Sequence, residues 1–434
     1  MLARALTIAM ALMFGCEKTD HDSIDKWPRT EKGPGKLAKA LSDESLDADL
    51  SAHAAANLIK PPLSKETEVA AALAGLTPAR RTQVIAKLAP RLWDIARIEG
   101  DNKLPGATQI AAKDALVTIR KLGDDAVKQQ IDGYLTDWYA VVSYEKRAET
   151  GHYTGPVVVR MIGPSIGKKL IDVLNGLLTR PGQDKEKFRI GEELVLAIAA
   201  SGSPDGVKTL LEVAKMDRGD PRLGERVFDA LALAYVKNDA LFDVQPPPPL
   251  IANLDTIVAI GKDDSQPGRV VNTAIELIRA TGQPTCFVPL IGMVGAAHKE
   301  SRFKYVTGVN ALRCGGSKAI VEVVKALPQG GVYVMEELRD TIALEISKMS
   351  PRPAVLAALR TLLFDKSTIA KWIAIETLAL MKSGDDKRAI AALAGASDRL
   401  LGYWGEAGEG KADPTLGQRA KELSDKLEGA ESPK

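Results

Sequence analysis

The sequence predicts an all-α fold, an α-solenoid made of stacked antiparallel helix pairs, on three observations. Apolar residues recur at helical spacing, as in Leu338, Ile342, Ile346 and Met349. Helix-breaking residues recur at an interval of 34 to 40 residues. Sustained alternation of apolar and polar residues, the pattern of β-strands, is absent. The one exception is residues 155–161, "GPVVVRM", which fit either a short strand or the first helix of a pair.

The helix breaks mark the hinge between the two helices of each repeat within residues 46–400, the predicted solenoid. They are centred on Gly123, Gly163, Gly202, Gly282, Gly316, Ser350 and Gly384. We treat the double interval between Gly202 and Gly282 as two repeats, with a less distinct break near Asn238. An earlier break lies within residues 73–92. A period of this length, made of helix pairs, is typical of solenoid proteins.

Two segments carry a more specific pattern. "AKDALVTIRKLGDDAVKQQIDGYL" and "IAIETLALMKSGDDKRAIAALAGA" share an Ala-Leu register in the first helix, a Gly-Asp hinge and an apolar second helix. This pattern resembles the HEAT-like repeat family over residues 50–397. Tetratricopeptide repeats would place Trp, Leu-Gly and Tyr at fixed offsets, which these segments lack. The resemblance implies an arc or superhelix with two rows of helices, and it implies no activity.

The first fifteen residues read as a secretion signal. Arg4 precedes an uncharged, largely apolar run over residues 5–15, which is too short for a helix that crosses a membrane core of about 30 Å. The stretch "MFGC" that ends at Cys16 resembles a bacterial lipobox, although its Phe departs from the usual small residue. The resemblance implies cleavage before Cys16 and acylation of Cys16, which would anchor the protein in a membrane. Glu17 follows instead of an Asp, which favours the outer membrane of a bacterial cell envelope.

The segments on either side of the solenoid are polar. Residues 16–45 contain several Pro and Gly residues, and we expect a flexible tether that carries the lipid. Residues 401–434 form a polar C-terminal tail, in which one short helix is expected from about Pro414 to Leu427.

The balance of charges restricts the possible partners of the chain. The 58 Lys and Arg residues nearly balance the 56 Asp and Glu residues, for a formal charge of +2, so we expect no nucleic-acid partner.

Besides Cys16, the chain contains Cys286 and Cys314, which are predicted at the same edge of adjacent repeats. In an oxidising compartment they could form a disulfide, and the alternative is two small buried apolar residues.

One motif suggests catalysis. Residues 163–167, "GPSIG", match the G-x-S-x-G elbow, in which a strand-to-helix turn presents a nucleophilic serine, here Ser165. His298 is the only histidine after Ser165, so the order of a catalytic triad is formally present. However, no alternating strands and helices surround the motif, and a Gly-Pro-Ser break is expected there from the repeat. We therefore expect no catalytic residue.

Metal ligands are not indicated. The histidines at 21, 53, 152 and 298 have no spacing typical of a metal site, and we interpret them as isolated surface residues. The Asp pairs at 124–125 and 385–386 follow helix breaks and are interpreted as helix N-caps. We expect neither a metal nor another cofactor.

These observations favour a lipid-anchored, non-catalytic scaffold that binds an unidentified envelope protein through the solenoid surface. The sequence does not indicate which residues contact this partner. Two alternatives stay open. The chain could be an enzyme, either a hydrolase that uses Ser165 or a protein that resembles the HEAT-like phycobilin lyases. It could also be a purely structural spacer.

Overall fold

The all-α prediction is confirmed. The computed structural model describes residues 19–100, 103–179, 190–216, 222–237, 248–263, 265–294, 301–327, 338–404 and 410–428. Within these ranges helices account for the regular structure, and the β pairing is an isolated bridge between Arg399 and Thr415. The predicted signal, Cys16 and the break near Asn238 lie outside these ranges. In the described ranges, no helix combines the length and the apolar character that crossing a membrane requires.

The chain divides into two compact units, residues 1–206 and 207–434. The helices that begin in the first unit are α1 His21–Lys26, α2 Gly33–Ser42, α3 Ala48–Ile59, α4 Glu66–Gly75, α5 Pro78–Ala96, α6 Ala107–Arg120, α7 Asp125–Tyr139, α8 Tyr144–Ala148, α9 Gly155–Ile162, α10 Pro164–Leu178, α11 Glu192–Ala200 and α12 Pro204–Ala214. Helix α12 crosses the boundary between the units. The segment at 155–161, which fitted a strand or a helix, is helical.

Helix pairs of the first unit stack through their apolar faces. Helix α3 packs against α2 and α5, α5 packs against α6, and α9 packs against α11. The core between them consists of fully buried aliphatic side chains such as Ile85, Leu116 and Ile198. Burial of each such side chain contributes about 1.5–3 kcal/mol, so stacking rather than helix propensity holds the unit together.

The second unit repeats this arrangement. Its helices are α13 Leu223–Tyr235, α14 Pro248–Ala252, α15 Leu254–Gly261, α16 Gly268–Ala280, α17 Phe287–Val294, α18 Ser301–Gly315, α19 Ile320–Ala326, α20 Leu344–Ser347, α21 Arg352–Leu363, α22 Thr368–Leu380, α23 Lys387–Ala391 and α24 Leu416–Glu428. Helix α16 packs against α13, α15 and α18, and α22 packs against α21 and α24. The short helix predicted in the C-terminal tail is thus α24. It belongs to the packed unit, because Leu416 and Ala420 are fully buried.

The predicted breaks separate the two helices of successive pairs. Four of the hinge glycines adopt positive φ, a conformation that glycine reaches without strain. Their φ values are 86° at Gly163, 70° at Gly202, 73° at Gly282 and 64° at Gly316. At the first Asp pair, Asp124 accepts a hydrogen bond from the backbone N–H of Val127 and caps α7, as expected.

The second Asp pair differs from the prediction. Asp386 makes no cap hydrogen bond to α23. Its carboxylate accepts hydrogen bonds from Arg360, at 2.7 and 3.1 Å, and from the Ser383 hydroxyl. The charge of Arg360, which lies on α21, therefore takes the place of the backbone donors of α23.

The prediction of a flexible tether is wrong for residues 20–42, which form α1, a 3-10 turn at Trp27–Arg29 and α2. Ile24 is fully buried, and Trp27 retains only 5% exposure. Gly33 begins α2 beside the carbonyl of Trp27, where a Cβ atom would collide with that oxygen. The Gly and Pro residues that suggested a linker thus start a helix, because Pro34 occupies a first-turn position where no N–H is needed.

A disulfide joins two neighbouring elements of the second unit. Cys286 immediately precedes α17, and Cys314 lies in the last turn of α18. The two residues are linked, with their Cα atoms 6.2 Å apart, and both side chains are buried. The bond fastens the α17–α18 pair at one end.

Candidate functional site

The first unit contains an open groove of 440 Å³ between α7 and α10. Six of its lining residues lie on α7 and two lie in the first two turns of α10. They are Asp125, Lys128, Gln129, Asp132, Gly133, Thr136, Ser165 and Lys169. The groove thus runs along the second helices of two consecutive helix pairs.

Hydrogen bonds and ion pairs fix both walls of this α7–α10 groove. Arg120, at the end of α6, binds both carboxylate oxygens of Asp132 and donates to the backbone carbonyl of Met161 at 3.3 Å. One guanidinium therefore joins α6, α7 and α9. Lys169 on α10 lies 3.0 Å from the carboxylate of Asp137 on α7. The Arg120 contacts thus fix the α7 wall, and the exposed Lys169–Asp137 pair joins α7 to α10 across the groove.

Gly133 forms an open part of the groove. It is an exposed glycine within α7, and a Cβ atom added there would have no neighbour within 4 Å. A glycine inside a helix costs about 0.5–1 kcal/mol relative to alanine, so its presence needs a reason. Neither a positive φ nor a close packing contact supplies one. Gly176 on α10 is open in the same way, so what distinguishes Gly133 is its place in the groove, where it leaves room for the backbone of another molecule.

Ser165 lies in this groove, in the first turn of α10, and is exposed. The left-handed backbone of Gly163 precedes it, so the motif is a helix-to-helix break rather than a strand-to-helix elbow. In the part of the chain that the structure describes, no hydrogen bond links Ser165 to a histidine or a carboxylate. His298 lies outside the described ranges. The G-x-S-x-G match thus coincides with a residue of the groove, although a helix takes the place of the strand that the motif requires.

Titratable groups cluster at a second place, where the sequence predicted isolated histidines. That prediction is wrong for His21 and His53, whose Nδ1 atoms lie 2.8 Å apart. Each histidine also faces a carboxylate with its other nitrogen, Asp49 for His21 and Asp25 for His53. Across the described ranges, no set of three or more His, Cys, Asp or Glu side chains is arranged to hold a metal ion.

A second concavity, of 290 Å³, lies between α22 and α24 in the second unit. Its walls include Glu376, Leu380, Arg419 and Leu423. Arg419 binds both carboxylate oxygens of the buried Glu376, at 2.6 and 2.9 Å. This bidentate pair connects the two helices and has an evident structural role.

Comparison with known proteins identifies no family. No family model matches the chain, and no curated protein matches it. One solved structure that it matches is human deoxyhypusine hydroxylase in complex with glycerol, at 14% identity and a TM-score of 0.23, over 69% of this chain and 97% of that chain. Another is an engineered protein, at 17% identity and a TM-score of 0.30, over 85% of this chain and 97% of that chain. Similarities this low carry no argument about activity.

The comparison does correct one expectation. The absence of a complete catalytic or metal motif led to the prediction that the chain is not an enzyme. Deoxyhypusine hydroxylase is a helical-repeat protein and an enzyme. That prediction is therefore withdrawn, and similarity at this level assigns no activity to the chain.

Proposed function

We propose that this chain is a lipid-anchored protein of the bacterial cell envelope that binds a protein partner in the α7–α10 groove. The observation that carries the proposal is the open helical glycine, Gly133, inside a groove with braced walls. The groove presents charges of both signs in two exposed ion pairs, Asp125 with Lys128 and Asp137 with Lys169, which a partner would exchange for its own charges. The partner that fits is an extended polar segment whose backbone passes over Gly133 while its side chains pair with these charges.

Two features support export to the envelope. The lipobox-like stretch at Cys16 is one of them. The other is the Cys286–Cys314 disulfide, because disulfides persist in oxidising compartments and are rare in the cytosol. The HEAT-like resemblance of the repeats supports the binding role, since stacked helix pairs expose long continuous surfaces.

Replacing Gly133 with alanine separates stability from binding. We expect Gly133→Ala to raise the free energy of unfolding by about 0.5–1 kcal/mol, because alanine favours the helix and meets no neighbour. The same methyl group obstructs a backbone in the groove, and overpacking costs about 1–3 kcal/mol. Partner capture by in-cell crosslinking should therefore fall about fivefold or more.

The matched control is Gly176→Ala. Gly176 is also exposed within a helix and without a neighbour, but it lies about two turns beyond Lys169 on α10 and does not line the groove. It should gain stability and keep full partner capture. Equal capture by the wild type and both variants would contradict a partner at Gly133.

The lipid anchor is tested by Cys16→Ser. Two or three acyl chains at about 0.8 kcal/mol per buried methylene make membrane attachment effectively permanent. We expect the wild-type chain in the membrane fraction and the variant in the aqueous fraction, measured by fractionation with a C-terminal tag. A variant that stays in the membrane fraction after a high-salt wash would refute anchoring through Cys16.

A further inference from the structure

The histidine cluster joins the first helix to the repeats. His21 and Asp25 lie on α1, whereas Asp49 and His53 lie on α3. The contacts form a chain from Asp49 to His21, from His21 to His53 and from His53 to Asp25, at 3.3, 2.8 and 2.8 Å. Since every one of these contacts joins α1 to α3, the chain is a polar clasp between the two helices.

The geometry indicates a hydrogen bond between the two rings rather than a chelating pair. The ring centroids lie 5.0 Å apart, close to the largest separation that a 2.8 Å distance between the Nδ1 atoms allows. Each Nδ1 therefore points directly at the other, and their lone pairs do not converge on a third position. One Nδ1 must donate a proton and the other must accept it.

Counting protons fixes how many of them satisfy the whole chain. If His21 is the imidazolium, it donates from Nδ1 to His53 and from Nε2 to Asp49. Neutral His53 accepts at Nδ1 and donates from Nε2 to Asp25. A second added proton would place two N–H groups against each other at 2.8 Å, which excludes the hydrogen bond. The clasp is therefore complete with one positive charge shared by the pair and is broken with two.

The surrounding charges agree with this assignment. Arg91 on α5 binds Asp49 at 2.8 Å and also repels a proton on His53. The charge of Lys87 on α5 favours the ionised form of Asp49, and the charge of Lys60, just after α3, favours the ionised form of Asp25. Burial lowers the pKa of His53 below its ordinary value, and the opposing effect of Asp25 does not restore it. His53 is thus the ring that stays neutral in the docked state.

We propose that the His21–His53 pair is a pH-sensitive latch, which holds α1 on α3 near neutral pH and releases it in acid. The sign follows from linkage: the docked pair resists the second proton, so docking weakens as the pH falls below the ordinary histidine pKa of about 6.5. Loss of the single shared proton at higher pH removes only the contact to Asp49 and leaves the bond between the rings and the bond to Asp25. Since α1 begins five residues after Cys16, release would lengthen the connection between the N-terminus and the repeats.

Hydrogen exchange of the full-length protein tests the latch between pH 7.5 and 5. Rates corrected for intrinsic exchange are compared for a peptide covering residues 19–30 and for a reference peptide in α22. We expect protection of residues 19–30 to fall by up to about tenfold per pH unit below about pH 6.5, the slope for one proton, while α22 stays protected.

Three variants decide whether the histidine pair is responsible. His21→Gln and His53→Gln each remove one of the two facing rings, so a second proton no longer sets two N–H groups against each other. Each variant should therefore abolish the pH step, whether α1 is then docked or undocked throughout. His152→Gln alters an exposed histidine elsewhere and should keep the step. A flat profile in the wild type, or an unchanged step in both Gln variants at positions 21 and 53, would overturn the latch.

Discussion

Replacing Arg419 with methionine is expected to lower the free energy of unfolding of the second unit by about 3–5 kcal/mol. Glu376 is only 5% exposed, and Arg419 is its bidentate partner. Burial alone would lower the pKa of Arg419, but the hydrogen bonds and charge of Glu376 raise it. Without the guanidinium, α22 keeps an uncompensated buried carboxylate, and α24 loses its polar contact with α22.

A double variant shows whether the unpaired buried carboxylate causes the loss of stability. Glu376→Leu together with Arg419→Met replaces the pair with apolar side chains, so it should recover most of the stability that the single variant loses. Arg388→Met, at an exposed position, should change the unfolding free energy by less than about 0.5 kcal/mol. Urea denaturation measures all three variants. If the single and double variants are equally unstable, the loss comes from packing and not from the buried charge.

Replacing Lys113 with methionine is expected to have a similar effect in the first unit. The Lys113 side chain has 0% exposure, and its ammonium group donates to Asp114 and to the carbonyls of Thr150 and Tyr153, the last two at 2.8 Å. Burial lowers the pKa of Lys113, and Asp114 opposes this shift. Methionine keeps the volume but leaves these acceptors without their donor, at a cost of about 3–5 kcal/mol.

The region in which hydrogen exchange rises distinguishes the loss of the Lys113 contacts from general destabilisation. Asp114 also accepts hydrogen bonds from the backbone N–H groups of His152 and Tyr153, so the loop at 149–154 depends on the Lys113–Asp114 pair. Hydrogen exchange in Lys113→Met should rise first in this loop. Lys168→Met, at an exposed lysine, should leave both stability and loop exchange unchanged. An unchanged loop in Lys113→Met would show that the buried ammonium does not hold it.

The helix-pair architecture could be predicted because its signals are local. A Gly or Asp hinge and the apolar period around it lie within one stretch of sequence, and positive φ at Gly163 and Gly282 agrees with the predicted breaks. The N-terminal helices were missed because their apolar residues are sparse and their Gly and Pro residues resemble those of a linker. Only contacts such as that of Gly33 with the Trp27 carbonyl distinguish a helix start from a tether.

The sites depend on pairings between residues far apart in the chain. His21 and His53 are 32 residues apart, and Glu376 and Arg419 are 43 residues apart, so no motif spacing links the members of either pair. Gly133 has no sequence signal, because other helical glycines such as Gly176 are equally open and only the structure places Gly133 in the groove. The G-x-S-x-G match did locate Ser165 in the groove, although the strand that gives this motif its chemistry is replaced by helix α9.

The central claim, a protein partner in the α7–α10 groove, is tested most directly by crosslinking from inside it. A photoreactive phenylalanine analogue replaces Gln129, which is exposed and lines the groove, and in a control chain it replaces the exposed Lys366. We predict one dominant protein adduct from position 129 in cells, weakened by Gly133→Ala and absent from position 366. No adduct at position 129, or the same adducts at both positions, would contradict a partner in this groove.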